Sequence, residues 1–170
     1  LKVTAPADNS KTGTSLTDVK GTVDDVNATV TVKLGNSTQT ALLTGNNFQA
    51  SVILAPKVNT IEITATDLAT NTSSQKRTVF YDDQKPSLAI TNPNQDIRTN
   101  KSTLTIRGTA SDPYGLAVTV SLDMDGQTYT PALVNGQFEQ VVTFTTQKSY
   151  AIVATATNEV KASTSAQRNV

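Results

Sequence analysis

Along most of this chain, apolar and polar residues alternate with a period of two. Val30, Val32 and Leu34 alternate with Thr31 and Lys33, and Ile61, Ile63 and Ala65 with Glu62 and Thr64. Farther on, Val118, Val120 and Leu122 follow the same rule, as do Tyr150, Ile152, Ala154 and Ala156. Successive side chains of a strand point to opposite faces, so this pattern predicts strands with one buried and one wet face. No segment carries a helical stripe of period 3.6. The turn signals "GNS", "GNN", "DPYG", "MDG" and "NG" fall between the strands. Strands and turns at such short intervals predict an all-β sandwich.

The pattern also repeats. "LKVTAP" (1–6) lies over "LAITNP" (88–93), and "VKGTVDD" (19–25) over "IRGTASD" (106–112). "TVTV" (29–32) meets "AVTV" (117–120), and "GNNFQASV" (45–52) meets "VNGQFEQVV" (134–142). "IEITATD" (61–67) meets "AIVATATN" (151–158), and "QKRTV" (75–79) meets "AQRNV" (166–170). Each unit then has roughly 85 residues, the size of a seven-strand sandwich. The expected division is a first sandwich at 1–82, a linker at 83–87 and a second sandwich at 88–170. The first unit runs on past "RTV" whereas the second stops at "RNV", so the expectation is an excised piece of a longer array.

Composition narrows the function classes. Hydrophobic content is only 36% and charged content 16%, with Thr, Ser and Asn making up the difference. Lys plus Arg and Asp plus Glu balance at 14 each, so no net field draws in nucleic acid. No run of about 18 apolar residues exists, so no membrane insertion is expected. Cys, His and Trp are all absent. This removes disulfides, thiolate metal sites, the histidine proton shuttle and Ser-His-Asp or Cys-His catalysis within the chain. A carboxylate-pair hydrolase is poorly served, because Glu62 and Glu139 fall at solvent-facing strand positions. The reading is therefore non-enzymatic.

Here a family resemblance becomes specific. "VNTIEITATDLATN" (58–71), with "GTVDD" upstream and "NNF" between, resembles the bacterial immunoglobulin-like repeats of surface and secreted proteins. Thr70 stands where many of those repeats have Gly, and the second unit keeps the strand without its Asp. Fibronectin III-like and cadherin-like sandwiches are related alternatives. The resemblance implies two tandem immunoglobulin-like β-sandwich domains in an extracellular or cell-surface protein. It also implies a stalk, fibre or surface-layer role, with neighbouring repeats as partners. The alternative is an adhesion or carbohydrate-binding accessory module, with a glycan or a surface protein as partner. Tyr150 is placed to make a tyrosine-corner hydrogen bond, which the first unit, with Asn59 nearby, is expected to lack.

The candidate sites are acidic loops. In such a topology Asp24, Asp25, Asp67 and Asn71 fall at one end of the first unit. Asp112, Asn158 and Glu159 fall at the matching end of the second, where Asp82 and Asp83 of the linker arrive. The leading reading is turn chemistry, since Asp and Asn bond their own backbone in turns. The alternative is a Ca²⁺ site, because this ion takes six to eight oxygens, with Asp82, Asp83, Asp112, Asn158 and Glu159 as its donors at the junction and Asp24, Asp25, Asp67 and Asn71 as a second cluster. "DMDG" (123–126) reads as a hairpin turn rather than a calcium loop. Phe48, Phe138 and Phe144 read as core, and Tyr114 as a surface aromatic. Asn27, Asn36, Asn71 and Asn100 open N-x-[ST] triplets, which fit a surface-displayed protein.

Overall fold

A computed structural model describes all 170 residues, Leu1–Val170. The chain divides into two compact units, Leu1–Asp83 and Gln84–Val170. Every regular element is a strand.

The first unit contains β1 (Lys2–Ala5), β2 (Ser10–Thr12), β3 (Leu16–Thr22), β4 (Thr29–Leu34) and β5 (Ser37–Thr40). It continues with β6 (Leu42–Thr44), β7 (Asn47–Ile53), β8 (Lys57–Thr66) and β9 (Thr72–Tyr81). One sheet has the order β1-β3-β7-β6 and the other β2-β9-β8-β4-β5. Their inner faces meet in a core of Val3, Val19, Phe48 and Val52 from the first sheet and Val30, Val32, Ile61, Ile63 and Val79 from the second. The alternation seen in the sequence is the reason these residues share one face.

The second unit contains β10 (Ser87–Asn92), β11 (Thr103–Ser111), β12 (Val118–Met124), β13 (Gln127–Tyr129), β14 (Gln137–Thr143), β15 (Ala151–Asn158) and β16 (Ser163–Asn169). Its sheets are β10-β11-β14 and β13-β12-β15-β16. Ile90, Ile106, Phe138 and Val142 face Val120, Leu122, Met124, Ile152, Ala154 and Ala156.

Three expectations are corrected here. The second unit has seven strands, but the first has nine. Its N-terminal segment divides, β1 joining β3 antiparallel and β2 joining β9 parallel. Residues 37–44 divide too, β5 joining β4 and β6 joining β7. Second, the pairing of "TVTV" with "AVTV" is two residues out. Val32 lies opposite Ile63 and Leu122 opposite Ala154, so Thr31 corresponds to Ser121 rather than Thr119. A slip of two keeps every side chain on its own face, so alternation cannot detect it. Third, Asn59 does the work of a tyrosine corner. Tyr150 Oη donates to the Thr146 carbonyl and accepts from its N–H, both at 3.1 Å. Asn59 makes the same closure four residues back, accepting from Ala55 N–H at 3.0 Å and donating to the Ala55 carbonyl at 2.7 Å.

Both units share a further device. Gly21 lies opposite Phe48 on β7, and Gly108 opposite Phe138 on β14. A Cβ at Gly21 would sit 2.5 Å from the Phe48 ring and 2.2 Å from the Lys2 carbonyl. At Gly108 the corresponding distances are 2.3 Å to Phe138 and 2.4 Å to the Ala89 carbonyl. Each glycine clears the space that a buried phenyl ring occupies. Arg77 and Arg168 fasten the N-terminal strands, donating to the Val3 carbonyl at 2.9 Å and the Ile90 carbonyl at 3.1 Å.

Candidate functional site

Pairing brings the acidic loops of each unit together. Thr29, which opens β4, lies opposite Thr66, which closes β8. Val118 on β12 likewise lies opposite Asn158 on β15. The loop before the first strand and the loop after the second therefore share one end of each sandwich.

In both units the acidic and amide groups at that end close their own loops. Asp25 Oδ1 accepts from Asn27 N–H at 2.8 Å. Its counterpart Asp112 accepts from Tyr114 N–H at 2.8 Å and from Leu116 N–H at 3.2 Å. Asp67 accepts from Asn71 N–H and from the Asn71 side-chain amide, both at 2.8 Å. Asn158 takes the same role through its carbonyl oxygen, accepting from Ala162 N–H at 2.9 Å. These are the side-chain-to-backbone bonds by which Asp and Asn build turns.

The second unit adds links between its loops. Asn158 Nδ2 donates to Asp112 Oδ2 at 3.0 Å, and Glu159 Oε2 accepts from Ala117 N–H at 3.2 Å. Asn158 is buried at this position. In the first unit Asp24 is fully exposed. Asp82, also buried, and Asp83 close the first unit, and Asp82 N–H donates to the Thr12 carbonyl at 3.0 Å. Within neither unit do three carboxylates gather closely enough to hold a metal ion.

Electrostatics follows the hydrogen bonds. The Asn71 side-chain amide and backbone N–H hold the Asp67 carboxyl below its ordinary range. In the second unit, at the end of β15 away from Asn158, Asn169 does the same to Asp96 through its backbone and side-chain N–H groups. Asp96 Oδ1 accepts from Asn169 N–H at 2.9 Å, as Asp8 Oδ1 accepts from Thr78 N–H at 2.7 Å. Sequence reasoning passed over Asp8 and Asp96, along with Arg77, Arg168 and the two glycines. Their signal was available in the repeated "KGT" and "RGT" and in the arginine shared by "QKRTV" and "AQRNV". Asp8 and Asp96 lie at unequal distances after Pro6 and Pro93, which blurs that pairing.

The outer sheet faces carry a different repeated feature. Thr31, Thr64 and Ser74 lie in one row across β4, β8 and β9, with Thr29, Thr66 and Thr72 in the next. In the second unit the rows are Ser121, Thr155 and Ser165, then Thr119, Thr157 and Ser163. Every one of these positions is a hydroxyl residue. A hollow of about 690 Å³ opens beside Leu34, Gln39, Ile53 and Val58 of the first unit. No titratable side chain lines it, so it offers no acid or base.

Comparison with known proteins places this architecture. A family model described as glucodextranase, domain B, matches residues 1–83 and again 86–170. Bacillopeptidase F of Bacillus subtilis (strain 168) is 35% identical over 114 residues, which are 65% of this chain. The match spans only 8% of that protein's length. Among solved structures, the fibronectin(III)-like modules of Clostridium thermocellum CbhA align with a TM-score of 0.59 at 16% identity. That alignment covers 98% of this chain and 90% of the other and establishes likeness of fold.

Proposed function

The chain belongs to the glucodextranase domain B family, and from that footing we propose that it is a non-catalytic spacer within an extracellular or cell-surface protein. The observation that carries this reading is what the two units have in common. Glycine under phenylalanine, arginine on the first strand's carbonyl, the corner bond four residues back and the self-closed loops all recur. Each of these groups holds the sandwich together. Polar groups that converge on a pocket, as ligand sites require, do not recur with them.

The exterior suits the same role. Hydroxyl rows keep the outer sheet faces hydrated, and Thr is a strong strand former. A chain without Cys or His has no thiol to oxidise and no imidazole to titrate. Calcium belongs to this proposal as a stiffening agent, because the loops of each unit carry the oxygen donors that this ion takes. Melts in millimolar calcium and in chelator test it. A calcium-dependent rise lost in Asp83→Ala/Asp112→Ala supports it, and identical melts remove it.

A second reading is favoured by the hydroxyl rows. Two adjacent rows on a sheet face offer donors and acceptors to a polysaccharide surface, as an accessory module of a polysaccharide- or protein-degrading enzyme would. Co-sedimentation with insoluble glucans, paired with assays for released sugar, separates the two. The spacer reading expects neither binding nor release. Binding abolished by Thr31→Ala/Thr64→Ala establishes the accessory module instead.

A further inference from the structure

Alternate residues of an antiparallel strand turn their backbone groups to opposite neighbours. Around β7 the even-numbered residues face β3. The Asn46 carbonyl accepts from Val23 N–H at 2.9 Å, and Leu54 N–H donates to the Ser15 carbonyl at 2.8 Å. The odd-numbered residues therefore face the other side. There β6 pairs only with residues 47–49, so no strand lies beside Ser51 and Ile53. In the second unit the Gly136 carbonyl and the Phe144 N–H make the matching bonds to Ala110 and Ser102 on the β11 side. Gln137 is covered by its bridge to Val134, and no strand lies beside Glu139, Val141 and Thr143.

Both uncovered edges are extended and carry exposed apolar side chains, Ile53 on one and Val141 on the other. Edges of this kind pair readily with another chain. Yet the same carbonyl is occupied in both units. Ser51 and Val141 each stand three residues past the phenylalanine that covers the glycine. The Ser51 carbonyl accepts from Gln39 Nε2 at 2.6 Å, and the Val141 carbonyl from Gln140 Nε2 at 2.8 Å. Gln39 reaches across from β5 of the other sheet, whereas Gln140 lies on β14 itself. Two glutamines from unrelated positions meet one equivalent carbonyl, so the bond follows from the open edge and not from repetition of the sequence.

We propose that these glutamines guard the open edges, and that Gln39 keeps β7 from pairing with β7 of a second copy of this chain. The inference goes beyond the spacer reading, because it names what keeps the sandwich from joining its own kind. A two-fold antiparallel seam at Ser51–Ile53 sets the outward N–H and C=O groups of one copy against those of the other. No residue of Asn47–Ile53 is charged, and no charged side chain lines the hollow beside it, so two copies meet without repulsion. The Gln39 amide takes the Ser51 carbonyl and occupies the lane that the incoming strand needs. On β14 the uncovered stretch includes Glu139, and a charge on an edge itself opposes pairing. The edge of β7 is therefore the one that depends most on its glutamine.

The test compares the full chain with Gln39→Ala and with Gln39→Ala/Ile53→Lys. Sedimentation velocity over a concentration series reads self-association, and amide hydrogen exchange is followed at Ser51 and Ile53. Gln39 is exposed, so its truncation leaves the core in place. Gln39→Ala is expected to self-associate about tenfold more tightly than the parent, the worth of one hydrogen bond. Exchange at Ser51 and Ile53 should slow as it does so. Lysine at position 53 sets a charge on each side of the seam and should return the chain to a single species. Equal association of the parent and Gln39→Ala overturns the proposal. Association that leaves Ser51 and Ile53 unprotected, or that survives Ile53→Lys, overturns it as well, since the seam then lies elsewhere.

Discussion

Asn59 holds Ala55 by both ends of its amide, accepting from the backbone N–H at 3.0 Å and donating to the carbonyl at 2.7 Å. Its side chain is buried and also donates to the Lys57 carbonyl at 3.0 Å. Tyr150 holds Thr146 in the second unit with one hydroxyl in place of an amide. The corner before the long strand is therefore closed by whichever side chain can both donate and accept across four residues. Asn59→Ala orphans the Ala55 N–H and carbonyl and is expected to destabilise the first unit by about 2 kcal/mol. Urea denaturation checks this, and Asn59→Asp should cost at least as much, because a buried carboxylate oxygen would then face the Ala55 and Lys57 carbonyls.

Gly21 and Gly108 lead to a second prediction. A methyl at either position meets a phenyl ring and a backbone carbonyl, and the carbonyl cannot step aside without breaking strand pairing. Gly21→Ala and Gly108→Ala should each cost about 3 kcal/mol, the upper end for an overpacked core. Combining Gly21→Ala with Phe48→Leu should recover part of that loss. Thermal melts of the single and double variants measure the coupling.

Arginine reach is the third. Arg168 donates to the carbonyls of Ile90 at 3.1 Å and Pro93 at 3.0 Å, holding β10 in place. Arg168→Met removes charge-assisted bonds and is expected to cost about 2 kcal/mol. Arg168→Lys should rescue little, because an ammonium lacks the guanidinium fork. Amide exchange should quicken in β10 while β15 stays protected.

The fourth concerns acid. The folded state lowers the pKa of the Asp67 carboxyl, so its contribution is complete above the unfolded value of ~3.9. That contribution is lost as pH falls through the depressed folded value. Asp67→Asn copies what the second unit does with Asn158, whose carbonyl oxygen closes the equivalent loop. The variant should remain folded at pH 7 and lose less stability than the parent between pH 5 and pH 2. Denaturation midpoints across that range check it, and equal slopes contradict it.

These residues also show what was legible in the sequence. Alternation announces the core positions, because a strand face admits only one arrangement of side chains. Register along the face stayed hidden: Thr31 and Thr119 looked equivalent, although Ser121 holds that place. The strand count failed for a similar reason, since residues 37–44 change sheets partway without a change of pattern. Asp67 and Asn158 already align in the sequence, and their turn chemistry was legible there. Which backbone N–H each accepts from was not, because Asn71 and Ala162 become partners only in the folded loop. Asp8 and Asp96 went unseen because their work depends on Thr78 and Asn169, far away in the chain.

The central claim is that the chain serves by being a stable, inert sandwich pair. The most direct measurement replaces these 170 residues, within the protein that carries them, by an unrelated pair of β-sandwich modules of similar length. Activity and surface binding of the carrier are then compared with the parent. The account predicts that both are retained. Loss of surface or polysaccharide binding, with the carrier still folded and displayed, would contradict it and place a recognition surface on this chain.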